Sequence, residues 1–278
     1  MVAFGQLCDL EQGCMKFHTP CKLNGGKMCD WISDRAYLDK KYIEFMIKKM
    51  GTIKDDKVLE LGCWKGASTQ ILKSYFPMST IYAVDIWDGI VFNEKIENVI
   101  FVHADARALP FYSNSFQACI ARMFFDVIPQ EQYEDVIIEL SRVIKKGGVV
   151  GIYSHLQRGL RGYPTPWIND KIKDIFSYTK KETINLEMIK YFLNKHGFAD
   201  IEIYFIIKDT DNFGYENIKE YYCITDKRKK YIKNNPLIRK GLISIEELVY
   251  QQKQLINLLE KKEGYFYALQ VQIIGRKK

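Results

Sequence analysis

The segment Val58-Leu59-Glu60-Leu61-Gly62-Cys63-Trp64-Lys65-Gly66-Ala67-Ser68 compresses a strand end, a glycine turn and a helix start into one short stretch. Val58 to Leu61 is an apolar run that can end a buried parallel strand. Gly62 can take a backbone shape closed to other residues, and Gly66 lets a helix begin close to that strand. A turn of this kind aims free backbone N–H groups above the sheet edge, where open α/β sheets bind their ligands.

Two acids downstream extend the pattern. Ile81-Tyr82-Ala83-Val84 ends at Asp85, and Val99-Ile100-Phe101-Val102 ends in His103-Ala104-Asp105-Ala106. An acid after the second strand, about 20 residues beyond the glycine turn, suits hydrogen bonds to vicinal ribose hydroxyls. An acid after the third suits an exocyclic amine. Either acid alone reads equally well as a turn starter; both in register with the glycine turn read as one site.

These residues resemble the class I S-adenosylmethionine-dependent methyltransferases, in particular the group with the quinone-biosynthesis and small-molecule enzymes. The resemblance runs from about Asp34 to the last residue. It rests on VLELGCWKGAS, on IYAVDIW, on FVHADARALPFYSNSFQACIAR and on IELSRVIKKGGVVGIY. It implies that Glu60 orients the methionine end of S-adenosylmethionine and that the Gly62 to Gly66 backbone lies along it. Asp85 is then the ribose residue, Asp105 and the Ala106 N–H read adenine, and Cys63, Trp64, Ile86 and Arg122 complete the cofactor contacts. The family usually has glycine where this chain has Trp64, although some natural-product sugar methyltransferases are similar to it there.

A dinucleotide-dependent dehydrogenase is the nearest competitor, because it too uses glycines and a ribose acid. Its G-x-G-x-x-G pattern brings the backbone close to a pyrophosphate, and Trp64 in the middle position blocks that approach. The end of the chain agrees with the first reading. Leu269, Val271 and Ile273 alternate with Ala268, Gln270 and Gln272, a strand pattern, where the family closes its sheet with an antiparallel last strand. The expected fold is therefore α/β, a Rossmann-like seven-stranded sheet with helices on both faces and a helical lid insert. The expected division is a cysteine-containing segment at 1–32, a cofactor-binding core at 33–208, the insert at 209–264 and the last core strand at 265–278.

Within the core, Ile43, Met46, Ile47 and Met50 give a helix from Ser33 to Met50, capped by Ser33 or Asp34 and stopped by Gly51. Further helices are expected at Ala67 to Tyr75, Glu131 to Ile144 and Leu186 to His196, with a strand at Asp200 to Ile207. Strands alternating with helices give a parallel sheet. With 278 residues, 47% of them hydrophobic, the chain can bury one substantial core. It has neither an apolar run of membrane-spanning length nor a cleavable leader pattern, so the expected location is cytoplasmic.

The seven cysteines are an odd number, and Cys63 and Cys119 fall in core segments, which argues against a disulfide framework. Cys8, Cys14, Cys21 and Cys29 crowd the first segment around His18. Thiolates there are candidate zinc ligands, without the tight Cys-x-x-Cys knuckle. Free thiols in a loop over the active site, and arsenite capture ahead of its methylation, are the alternatives.

From Asp209 to Gly264 the chain is too long for a plain connection. Ser244 and Glu247 form a capping-box spacing before an amphipathic helix carrying Leu248, Leu255, Ile256 and Leu259, and Phe213, Tyr215, Tyr221 and Tyr222 gather ahead of it. The expected role is a lid wall over the substrate, with a homodimer contact as the alternative. The insert holds Lys227-Arg228-Lys229-Lys230, and the formal net charge is +7. Transfer or ribosomal RNA is thus an alternative partner, although charge runs are usually solvated faces and no RNA-binding module is appended.

The fourth strand ends in Ala121-Arg122-Met123-Phe124-Phe125, without the Asn/Asp-Pro-Pro-aromatic motif of amide and base methylation. Where metal-dependent enzymes place magnesium-binding carboxylates after the fourth and fifth strands, this chain offers Arg122 and Ser154-His155, so a magnesium-templated reaction is not expected. Transfer from a sulfonium is an in-line displacement that needs the acceptor held close, water excluded and, for a hydroxyl, a base. His155, after the fifth strand, is the first candidate base, with Tyr153 beside it. Tyr163, Trp167, Tyr215 and Tyr222 are the candidate acceptor-pocket residues. The resulting expectation is a small-molecule methyltransferase acting on O, N or C, with a non-catalytic binding protein of the same fold as the second class.

Overall fold

The computed structural model describes residues 36–53, 56–87, 96–156, 160–163, 184–223, 238, 241 and 244–278. The strands among them are β1 (Lys57–Leu61), β2 (Thr80–Asp85), β3 (Val99–His103), β4 (Phe116–Arg122), β5 (Ile144–His155), β6 (Arg161–Tyr163), β7 (Phe198–Asp209) and β8 (Tyr265–Lys277). The helices are α1 (Lys40–Met50), α2 (Ala67–Tyr75), α3 (Tyr133–Val143), α4 (Leu186–Lys195), α5 (Tyr215–Tyr222) and α6 (Ile245–Glu260). The sheet order is β3-β2-β1-β4-β5-β8-β6, with β7 paired to β8. This is the expected mixed α/β sheet with one strand more than expected, because the three-residue β6 pairs antiparallel with Tyr265, Phe266 and Tyr267 of β8.

Register sets the functional edge. Leu61 of β1 lies beside Val84 of β2 and Ala121 of β4, Asp85 beside His103 of β3, and Arg122 beside Tyr153 of β5. All these pairings are parallel, so the carboxyl ends of five strands share one edge. β1, β2 and β4 are almost wholly buried, as expected for strands covered on both faces. β5 begins earlier than the apolar run from Val149 suggests. Its pairing with β4 shifts between Phe116 and Ala118, and Gly147 there has φ +74°. At Gly148 a Cβ would lie 2.8 Å from the Gln117 carbonyl oxygen, so the glycine pair accommodates a bulge.

The chain divides into two compact units. Of the described residues, the first comprises those within 36–155, 184–204 and 271–278, and the second those within 156–163 and 205–270. In the first, α1 buries Ile43, Met46 and Met50 and ends at Gly51, φ +84°, whose N–H donates to the Lys48 carbonyl. The α-helix starts later than its periodicity suggests. A 3-10 turn, Ala36–Asp39, precedes it, and Ser33 and Asp34 lie outside the described residues. Asp39 at the junction makes no side-chain cap; its carboxylate instead accepts from the Arg122 guanidinium and, at 3.2 Å, from the Tyr153 hydroxyl. In the second unit, Asp209 and Asn212 form a capping box at a short π-helical turn, Thr210–Gly214, ahead of α5, and the Ser244 side chain caps α6 through the Glu247 N–H.

The Asp39–Arg122 pair joins the turn before α1 to the end of β4, with side chains 0% and 10% exposed. Removing one member of a buried pair strands the other's charge. Asp39→Ala is expected to cost about 3–5 kcal/mol in urea denaturation, and the Asp39→Leu, Arg122→Met double variant clearly less than Asp39→Ala.

Candidate cofactor and acceptor site

The glycine turn is built from left-handed backbone. Gly62, Trp64 and Gly66 have φ of +75°, +49° and +77°. The N–H groups of Gly62 and Cys63 both donate to the Val84 carbonyl, at 2.9 and 3.2 Å, which locks the end of β1 against β2. Gly66 then stands at the N-cap of α2. A Cβ on Gly62 would come within 3.1 Å of the Phe124 ring, so glycine is required by space as well as by φ. Trp64 occupies the position where the resemblance expects glycine, and its φ is one that glycine favours. A side chain there costs about 1–2 kcal/mol. Two contacts offset it: the Trp64 N–H donates to Asp85 Oδ2 at 2.9 Å, and its indole stacks on Trp87, centroids 4.4 Å apart and 21° between planes.

Glu60 and Asp85 are both buried. Glu60 accepts from Ser68 Oγ at 2.5 Å and Thr69 Oγ1 at 2.6 Å, both in the first turn of α2. Burial pushes its carboxyl above the ordinary range, against the opposing pull of those hydroxyls and of the Arg122 charge. Asp85 accepts one backbone N–H on each oxygen, from Trp64 and, at 3.0 Å, from Trp87. One N–H per oxygen leaves acceptor capacity on both for a further pair of donors.

At the tip of β3, Asp105 is clasped by Arg107. The guanidinium bonds both carboxylate oxygens, with distances from 2.5 to 3.0 Å, and the Arg107 N–H adds a bond at 2.9 Å. Burial pushes the Asp105 carboxyl up, but the Arg107 bonds and charge outweigh it and hold the group below its ordinary range. His103 contacts the Ile86 carbonyl at 2.8 Å, fixing the loop after β2. Gly62, Asp85, Ile86, Asp105, Ala106 and Phe124 line one concavity enclosing about 560 Å³, part of it open to solvent. Five of the residues expected at the cofactor thus face a common space.

The other expected residues distribute differently. Cys63 is buried and its thiol is pushed far up by burial, so it supplies packing and a backbone N–H and has no thiolate character. Arg122 and Tyr153 belong to the Asp39 cluster, and Tyr153 is fully buried; its hydroxyl is already committed to Asp39. His155 Nδ1 lies 2.7 Å from Asp126 Oδ2, and the His155 N–H approaches both Asp126 oxygens at 3.2 and 3.3 Å. In the second unit, Tyr163 is 80% exposed and the Tyr215 hydroxyl donates to the Gly264 carbonyl at 2.7 Å. Trp167, the Tyr222 side chain, Cys8, Cys14, Cys21, Cys29 and the basic run 227–230 lie outside the described residues. Asp39, Trp87, Arg107 and Asp126 are additions that the sequence did not single out. Arg107, two residues from Asp105, was within reach of a local charge-pair reading, and the others depend on the folded chain.

Among the described residues no helix is long and apolar enough to cross a membrane. The sequence profile of a methyltransferase domain matches residues 59–152. Demethylmenaquinone methyltransferase of Staphylococcus aureus is 34% identical over 111 residues, covering 38% of this chain and 45% of that protein. The chain thus spans less than half the length of the curated relatives it matches. Phosphoethanolamine N-methyltransferase 2 of Haemonchus contortus, solved with S-adenosyl-L-methionine, aligns with a TM-score of 0.55 at 18% identity, over 89% of this chain and 56% of that one. Geranyl diphosphate C-methyltransferase of Streptomyces coelicolor aligns at 0.51 and 14% identity, over 87% and 77%. At those identities the structures speak for the fold, and the profile and the curated relatives speak for the domain. Residues 59–152 thus match a methyltransferase domain, on a fold shared with those solved structures.

Proposed function

We propose that this protein transfers a methyl group from S-adenosylmethionine to a small-molecule acceptor. The observation that carries the reading is the convergence of the Gly62 turn, Asp85, Asp105 and Ala106 on one concavity at the carboxyl ends of parallel strands. That is where an open α/β sheet binds its ligand. Asp85 is the proposed ribose residue: it is anchored by two backbone N–H groups and retains acceptor capacity for vicinal hydroxyls. Asp105, oriented by Arg107, is proposed to accept from the adenine amine, with the Ala106 N–H beside it.

Glu60 is proposed to act at the methionine end, where its carboxylate draws on Ser68 and Thr69. When bound, the cofactor supplies an electrophilic methyl on a positive sulfur, and that charge suits a concavity lined by Asp85 and Asp105. A dinucleotide brings the opposite charge in its pyrophosphate. The Trp64 indole packed on Trp87 also fills the turn position that such a ligand needs bare. The residues present therefore fit the sulfonium cofactor.

Calorimetric titration with S-adenosylmethionine and with NADH tests the reading: binding of the first and not the second is expected, and binding of NADH alone would overturn it. Asp85→Ala should weaken S-adenosylmethionine by about 10- to 100-fold, the loss of a charge-assisted hydrogen bond, with the circular-dichroism spectrum unchanged. Glu60 gives a pH signature. Its folded-state carboxyl sits above the ordinary range, so the stability it contributes is present below the unfolded-state value and is lost as pH rises through the folded-state value. Glu60→Gln should therefore gain thermal stability over the parent as pH is raised from about 5 to about 8, while losing cofactor affinity.

A further inference from the structure

Asp85, 3% exposed, is one of the residues lining the concavity. A carboxylate meets a pair of vicinal hydroxyls only when both of its oxygens face them, and the terminal torsion of an aspartate is broad. Its rotation has to be fixed by donors. Two supply that here: Oδ2 accepts the Trp64 N–H at 2.9 Å and Oδ1 the Trp87 N–H at 3.0 Å. The donors come from different segments, the turn after β1 and the loop after β2. The side chains of the same two residues tie those segments together, their indoles stacked with centroids 4.4 Å apart and 21° between planes.

The stack persists against local preference. Trp64 has φ +49°, a region that bulky side chains rarely adopt. Trp87 is 6% exposed, and its buried indole N–H has no partner among the described residues, so no hydrogen bond of its own holds the ring in place. A left-handed bulky residue and an unpaired buried donor are each unfavourable, and both fall on the pair that carries the two donors to Asp85. Asp85 also has a neighbour to turn away from: the Glu60 carboxyl is pushed up by burial and, further, by the Asp85 charge. A loosened Asp85 would rotate under that repulsion.

Resting on the methyltransferase reading above, we propose that the Trp64–Trp87 stack is the positioning device of the ribose site. It holds together the two backbone donors that aim Asp85, and so sets the selectivity of the cleft for ligands carrying both ribose hydroxyls. The indoles act through Asp85 and not on the hydroxyls themselves, which gives the role a signature of its own. A residue that only supported the fold would weaken every ligand of the concavity alike. One that acts through Asp85 weakens a ligand only as far as the ligand engages Asp85, and its removal has no further effect once that carboxylate is gone.

The test uses the full-length protein and two probes, S-adenosylhomocysteine and its 2′,3′-dideoxy analogue, titrated calorimetrically. The parent should favour the hydroxyl-bearing probe by at least about 10-fold. Trp64→Gly should weaken that probe by about 3- to 10-fold, the loss of a preorganised group, and leave the dideoxy analogue within about 2-fold. Trp64→Phe, which keeps a ring against Trp87, should recover part of the loss. In an Asp85→Asn background Trp64→Gly should change S-adenosylhomocysteine binding by less than about 2-fold. The exciton couplet that stacked indoles give in circular dichroism should be present in the parent and absent from Trp64→Gly and Trp87→Leu. Equal losses for both probes, an undiminished loss in the Asp85→Asn background, or a parent without the couplet overturns the proposal. If urea denaturation shows Trp64→Gly unfolded, Trp87→Leu replaces it in the same comparison. A parent that binds neither probe removes the methyltransferase reading itself, whereas one that binds both equally removes this inference with cofactor binding intact.

Discussion

The buried carboxylate of Glu60 is the interaction on which the rest of this edge depends. It sits one residue before the end of β1 and accepts from Ser68 and Thr69 in the first turn of α2. The turn between them is thereby held at both ends. A negative group at a helix N-terminus is stabilised by the unpaired N–H groups there, but a fully buried charge also carries a desolvation penalty. The Arg122 charge and the two hydroxyls reduce that penalty without cancelling it. The turn can therefore afford the left-handed backbone of Gly62, Trp64 and Gly66, because its two flanking elements cannot drift apart.

Asp85 extends the same device one strand over. Its two oxygens hold the N–H groups of Trp64 and Trp87, which places the two indoles face to face. Trp64 is the position where local preference is violated: a bulky side chain sits at φ +49°. Such outliers persist where the surroundings over-determine them, and here a carboxylate, a stacked indole and two glycines do so. The violation falls at the mouth of the proposed cofactor cleft, where a chain can trade stability for a shaped wall.

What was legible in the sequence was local. α2 runs from Ala67 to Tyr75 as its pattern predicts, and the ends of β1, β2 and β3 with their acids follow from short apolar runs and one glycine turn. What was not legible lies far apart along the chain. Asp39 and Arg122 are 83 residues apart, and neither stands out in a pattern of helix or strand. Arg122 and Tyr153 both contact the Asp39 carboxylate, which no local pattern announces. The first turn before α1 is likewise hidden from apolar spacing, which does not distinguish the 3-10 turn Ala36–Asp39 from the α-helix that continues it. Asp126 and His155 are 29 residues apart, and only the parallel pairing of β4 with β5 makes them neighbours.

This contrast has a physical origin in the fold. The proposed cofactor residues follow immediately on β1, β2 and β3, each within a short span of chain that a local pattern can register. The segments after β4 and β5 meet partners that are set by the sheet rather than by sequence proximity. The match to the Staphylococcus aureus enzyme covers 38% of this chain, so it bears on the domain and leaves the acceptor to be argued from this protein's own side chains. The same separation explains why a histidine read from sequence as a lone loop base gains meaning only with Asp126 beside it. An unoriented imidazole presents either nitrogen to its surroundings, whereas one held by a carboxylate at Nδ1 and at its own backbone N–H is fixed in a single orientation.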